Sequence, residues 1–142
     1  MLRRSLSWTC WCLASLLAAP LAGDGLGGRD AFLCAVLEVS RCVPEEGCAQ
    51  AALADLNIPD FVEIDLAAKL VRTTAASGEN RVTPILGVAR QEGLIFLQGV
   101  EKGRGWSFVL DEESGRLTAA VAREELSVNA FAVCTPLPPD RP

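Results

Sequence analysis

The sequence predicts a mainly β protein: an antiparallel up-and-down meander of about seven or eight strands that closes into a small barrel, with a two-layer sandwich as the alternative. Three observations predict it. Val62, Ile64 and Leu66 alternate with Glu63 and Asp65, the period-2 signature of a half-buried strand. Turn-forming residues recur at a spacing of about 8 to 12 positions, too close together for crossover helices. One short helix is expected at Glu46 to Leu56, where Ala49, Ala51, Ala52, Leu53 and Leu56 favour helix and Pro59 closes it. A sheet with one short helix to cover it hides its apolar face and limits its edges most economically by curling.

The elements follow in order. Met1 to Arg4 is a short basic start, and Leu6 to Ala19 is almost wholly apolar or small before Pro20. Residues 1–22 therefore read as a secretory signal peptide, with cleavage after Ala22 or Gly23. The run is shorter than the roughly 20 residues that span a bilayer, which argues against a stable membrane anchor. Residues 23–30 read as a flexible mature N-terminus, residues 31–135 as a single β domain, and residues 136–142 as a proline-rich tail. Within the domain, strands are expected over Phe32 to Val39, Val62 to Leu66 and Lys69 to Thr74. Arg81 to Arg90 forms one strand or two short pieces, with Pro84 at an edge or bulge. Gln91-Glu92-Gly93 is a hairpin turn into Leu94 to Val100, and Glu101 to Gly105 turns into Trp106 to Leu110. Asp111 to Arg116 is a polar turn with Gly115 free to take a positive φ, followed by Leu117 to Val121 and a last strand from Asn129 to Cys134. A further helical turn is expected at Ala122 to Leu126.

Six cysteines are present, two of them in the leader, leaving Cys34, Cys42, Cys48 and Cys134. An even number in an exported chain reads as two disulfides. A metal centre fits poorly, because five residues separate Cys42 from Cys48 and the chain has no His. A closed meander sets the first strand beside the last, which pairs Cys34 with Cys134 and leaves Cys42 with Cys48 across a turn. The alternative is Cys34 with Cys48 and Cys42 with Cys134.

The 142 residues hold 13 basic and 18 acidic side chains. Loss of the leader removes Arg3 and Arg4, so 11 face 18 and the formal charge falls from −5 to −7. That balance disfavours nucleic acid and anionic lipid surfaces as partners. Arginine far outnumbers lysine and Ala, Leu, Gly and Pro abound, the usage of a GC-rich bacterial genome; export then means the periplasm or beyond. With neither His nor Tyr, the chain lacks the residues for a Ser-His-Asp triad, a Cys-His pair or a Tyr general acid. No motif implies a cofactor, and no catalytic residue is assigned.

The strings FLCAVLEVSRCVPEEGC, PDFVEIDL, LQGVEKGRGWSFVLDEESGRLT and FAVCTP resemble a group of small exported bacterial proteins, over most of residues 31–136. That resemblance implies an exported address and no activity. The expected architecture is also similar to that of the periplasmic inhibitors of c-type lysozyme. Their loop of Ser, Gly and Tyr has no counterpart here, so no residue is carried over.

The most site-like stretch is Gly103 to Ser107, where Arg104 stands beside Trp106, the one tryptophan beyond the leader; both types favour binding hot spots. The plainer reading makes Trp106 a core plug and Arg104 a solvated turn residue. Glu63 and Asp65 share one strand face, as paired carboxylates of a hydrolase or a cation site would. Glu45-Glu46 and Asp111-Glu112-Glu113 are acidic loops suited to a cationic protein if they lie at one end of the barrel. The expected function is a non-catalytic periplasmic module that binds a protein or a small apolar ligand. An inhibitor of a cationic cell-wall hydrolase is the first alternative, and a carboxylate-based hydrolase the second.

Overall fold

The computed structural model describes residues 25–138, which form one antiparallel sheet of ten strands. These are β1 (Ala31–Val43), β2 (Gly47–Ala51), β3 (Phe61–Asp65), β4 (Leu70–Thr73), β5 (Val82–Pro84), β6 (Gly87–Gln91), β7 (Leu94–Glu101), β8 (Arg104–Asp111), β9 (Arg116–Arg123) and β10 (Leu126–Pro136). Nine lie in the order β5-β4-β3-β1-β10-β9-β8-β7-β6, and β2 branches from β1 as a hairpin. This is the expected mainly β meander, with two or three more strands than the sequence predicts, curled into a half-barrel.

The ladder opens between β5 and β6, where Pro84 ends an edge strand. Two residues cross this gap. Ile85 N–H bonds Lys69 C=O at 2.8 Å on one side and Leu86 N–H bonds Gln98 C=O at 2.9 Å on the other. The hairpins from β6 to β8 turn on residue pairs with positive φ, Glu92–Gly93 (53° and 78°) and Lys102–Gly103 (48° and 76°). That is the two-residue turn whose twist matches the strands it joins. Gly115, at φ 70°, is required twice over, because a Cβ there would also lie 2.5 Å from the Cys134 carbonyl oxygen.

Both disulfides join directly opposed residues, Cys34 to Cys134 across β1–β10 and Cys42 to Cys48 across β1–β2, each with Cα atoms 4.0 Å apart. Cys34 and Cys42 are eight positions apart and would share a face of a regular strand. A bulge between Val36 and Glu38 flips that parity. Cys34 is therefore fully buried, while Cys42 is only half-buried.

One end of the half-barrel is filled by Phe32, Ile64, Leu66, Ile85, Ile95, Leu97, Leu110 and Leu117. Burial of each such side chain contributes about 1.5–3 kcal/mol. Leu26 completes this plug, 3% exposed and tied by its N–H to Glu112 C=O at 2.7 Å. Of residues 25–30 only Leu26 is buried, the other five being exposed, and Arg90 hydrogen-bonds the Arg29 carbonyl at 2.5 Å and Asp30 at 3.1 Å.

Three expectations are corrected. The helix over 46–56 is replaced by strand β2 and one 3-10 turn, Ala54–Leu56. The helical turn at Ala122 to Leu126 is instead the hairpin joining β9 to β10. Strand β10 runs on to Pro136, opposite Phe32, so regular structure reaches into the start of the proline-rich segment. The leader, residues 1–22, and positions 139–142 lie outside the described residues. Among those described, no helix is long and apolar enough to cross a membrane.

Candidate functional site

The end opposite the plug is hollow. Strands β7 to β10 carry inward-facing residues in matched rows, because each register pair keeps its partners on one face. Deepest are Ile95, Leu110, Leu117 and Ala132; above them stand Leu97, Phe108, Ala119 and Ala130; then come Gly99, Trp106, Val121 and Val128. The third row contains no residue larger than valine apart from Trp106, and Gly99 contributes no side chain. Val62 on β3 and Val71 on β4 face it across the half-barrel. The space left over is an open cavity of about 450 Å³, within the roughly 300–1,000 Å³ typical of small-molecule sites.

Trp106 is the centrepiece of the wall. It is 8% exposed, and its ring lies across Gly99, where a Cβ would fall 2.4 Å from Cζ2 and 2.8 Å from Nε1. Its Nε1–H is buried with no hydrogen-bond partner among the described residues. Leaving such a donor unpaired costs about 1–3 kcal/mol. With the N–H covered, the indole presents carbon to the cavity, and Phe108 lies against it with ring centroids 4.8 Å apart. Trp106 is therefore both core residue and cavity wall.

Polar residues ring the mouth. Glu101, on the rim of β7, hydrogen-bonds Thr83 Oγ1 at 3.1 Å and Arg104 Nη2 at 3.5 Å, with Lys102 Nζ 3.9 Å away. The connection between β2 and β3 contributes Asp55 through Pro59 as one lip. Arg81 pins that lip by donating to the Asn57 carbonyl at 2.8 Å and also pairs with Glu79. Arg123 closes the ring at the end of β9 and has no ion pair or side-chain hydrogen bond among the described residues.

The two binding residues expected from sequence, Arg104 and Trp106, both line the cavity. Arg123, Arg81 and the Asp55–Pro59 lip were not singled out by sequence reasoning. A signal for Arg123 was present. The turn at Asp111 to Arg116 sets Leu110 opposite Leu117, and counting back in step puts Arg104 opposite Arg123.

The other candidates lie apart. Glu63 and Asp65 are not in the cavity lining; both clamp Arg72, whose Nε is 3.0 Å from Glu63 Oε2 and whose Nη2 is 3.2 Å from Asp65 Oδ2. The acidic loops occupy opposite ends of the half-barrel, Glu45-Glu46 beyond the hollow end and Asp111-Glu112-Glu113 at the plugged end. The Asp111 carboxyl accepts the N–H groups of Ser114 at 2.8 Å and Glu113 at 2.9 Å, and the Ser114 bond foremost holds its pKa below the ordinary 3.8. No cluster of three or more metal-ligating side chains occurs among the described residues. No family model, curated protein or solved structure matches the chain.

Proposed function

We propose that the protein is a non-catalytic binding module of an oxidising, extracytoplasmic compartment, the bacterial periplasm or the exterior, and that it takes a small apolar ligand into the hollow end of the half-barrel. The observation that carries this reading is the open cavity of about 450 Å³ walled by Val62, Val71, Trp106, Phe108, Val121 and Val128. A sheet under no demand beyond stability packs its apolar inner face against other side chains; this one is filled at one end only. The two disulfides support the compartment. Absence of His and Tyr, and the engagement of Glu63 and Asp65 with Arg72, weigh against a hydrolase. Separation of the acidic loops to opposite ends weighs against an inhibitor that would meet a cationic enzyme through both of them.

The test is uptake of a neutral apolar fluorophore, N-phenylnaphthylamine. Saturable enhancement is expected with the unaltered protein, and loss of it in Val121→Phe, which fills the cavity from the wall. A linear, non-saturating response from the unaltered protein would refute the proposal.

A further inference from the structure

We infer that the ligand of the hollow end is an amphipathic anion, one apolar tail with a carboxylate or phosphate head, and that the head lies between Arg104 and Arg123. The inference rests on the cavity being a ligand site, and it adds the chemistry of the ligand.

Three observations carry it. First, the β8–β9 register runs Trp106 to Val121 and Gly105 to Ala122, so its next step brings Arg104 and Arg123 side by side at the mouth. Like charges directly opposed on neighbouring strands destabilise a sheet unless something of opposite sign lies between them. Glu101 serves this purpose only for Arg104, at 3.5 Å, and it is shared with Thr83 and Lys102. Arg123 has no such partner among the described residues. Second, the cavity lining holds four cationic side chains, Arg81, Lys102, Arg104 and Arg123, against two acids, Asp55 and Glu101. The whole chain has the reverse balance, 13 basic to 18 acidic, so positive charge is concentrated where the cavity opens. Third, polarity is graded. Cations ring the mouth, while the wall below offers Trp106 carbon, Phe108, Val121 and Val128, with the indole N–H shut away against Gly99. Nothing deep in the cavity pairs with a polar group, so a polar ligand end must stay at the rim. The planar guanidinium fork fits either a carboxylate or a phosphate.

The cavity holds the volume of roughly 15 water molecules, the scale of a dodecyl chain with its head. The experiment is isothermal titration calorimetry of the oxidised protein with dodecanoate, dodecyl phosphate, dodecanol and dodecyltrimethylammonium, each below its micelle concentration. At least one of the two anions should bind about tenfold more tightly than dodecanol, the scale of one charge-assisted hydrogen-bonded contact, and the cation should bind most weakly. The tighter of the two anions identifies the head as carboxylate or phosphate, and either result supports the inference. Arg123→Gln should bring that anion to within about twofold of dodecanol, both measured on the same variant; Arg104→Gln is the second variant. Dodecanol binding as tightly as both anions would overturn the anionic head and leave the apolar-ligand reading standing. Failure of all four to bind would overturn both.

Discussion

The plugged and hollow ends of the half-barrel are built on the same strands, yet they differ in what fills them. At the plugged end, Ile95, Leu110 and Leu117 meet Phe32 and Ile64, Leu26 seals the bottom, and the buried Cys34–Cys134 bridge fixes first strand to last. At the hollow end the same four strands carry Gly99, Val121 and Val128 around Trp106, and the bridge there, Cys42–Cys48, ties only the β1–β2 hairpin. Stability is concentrated at one end so that the other need not be filled. This is how a small domain holds an open apolar space without losing its fold.

The comparison breaks most sharply at the disulfides. Replacing Cys34 and Cys134 together by Ala should cost about 4–5 kcal/mol, the loop-entropy value for a closed loop of roughly 100 residues, against about 2 kcal/mol for Cys42 and Cys48. Urea denaturation of the two double variants measures both, and equal losses would contradict a division of labour between the ends. Next in size, Leu110→Ala in the plug should cost about 2–5 kcal/mol, whereas Val121→Ala at the mouth should cost about 1 kcal/mol or less. Thermal unfolding decides between them.

A smaller effect sharpens the comparison from the hollow side. In Gly99→Ala the new methyl would collide with the Trp106 ring, forcing it into the cavity at about 1–3 kcal/mol of overpacking. Ligand uptake should fall in this variant by more than its stability loss explains, as fluorophore titration beside a melting curve would reveal. The smallest effect belongs to Asp111 at the plugged end. Its pKa is depressed by the Ser114 and Glu113 N–H groups, so its contribution is complete above the unfolded value of 3.8 and is lost as pH falls through the lower folded value. Carboxyl titration followed by NMR should place Asp111 below 3.8, and Asp111→Asn should lack that part of the acid destabilisation.

The plugged end was the legible one. Alternation of Ile64 and Leu66 with Glu63 and Asp65, the polar turn at Gly115 and the expected meeting of Cys34 with Cys134 all follow from local chemistry or from closure of a meander. The hollow end was legible only in fragments. Alanines over 49–52 favour helix by a few tenths of a kcal/mol each, too little to outweigh the Cys42–Cys48 bridge and the free edge of β1, so β2 forms instead. Arg104 and Trp106 stood out as neighbours, but the cavity is an absence of side chains, and sequence lists only those present. The placement of Arg123 beside Arg104 is a matter of register across β8 and β9, and it becomes visible only when the turn between them is counted through.

The pairing of Leu137 N–H with Ala31 C=O at 2.9 Å brings the two extremities of the domain together at the plug, while the edges of the sheet lie in mid-sequence at Pro84 and Gly87. Chain order and sheet order are therefore out of phase. Topologically the domain is a ring cut at β1–β10 and welded there by Cys34–Cys134. Joining the two extremities with a short linker and re-cutting between Pro84 and Gly87 would make a permuted chain whose termini coincide with the edges of the sheet. In that chain β10 and β1 would become one more hairpin, so the longest loop closure in folding would be replaced by a local one. Since Ile85 sits in the plug and Leu86 bridges the gap, the cut would have to keep both residues on one new end, and the hollow end would be left with the same walls.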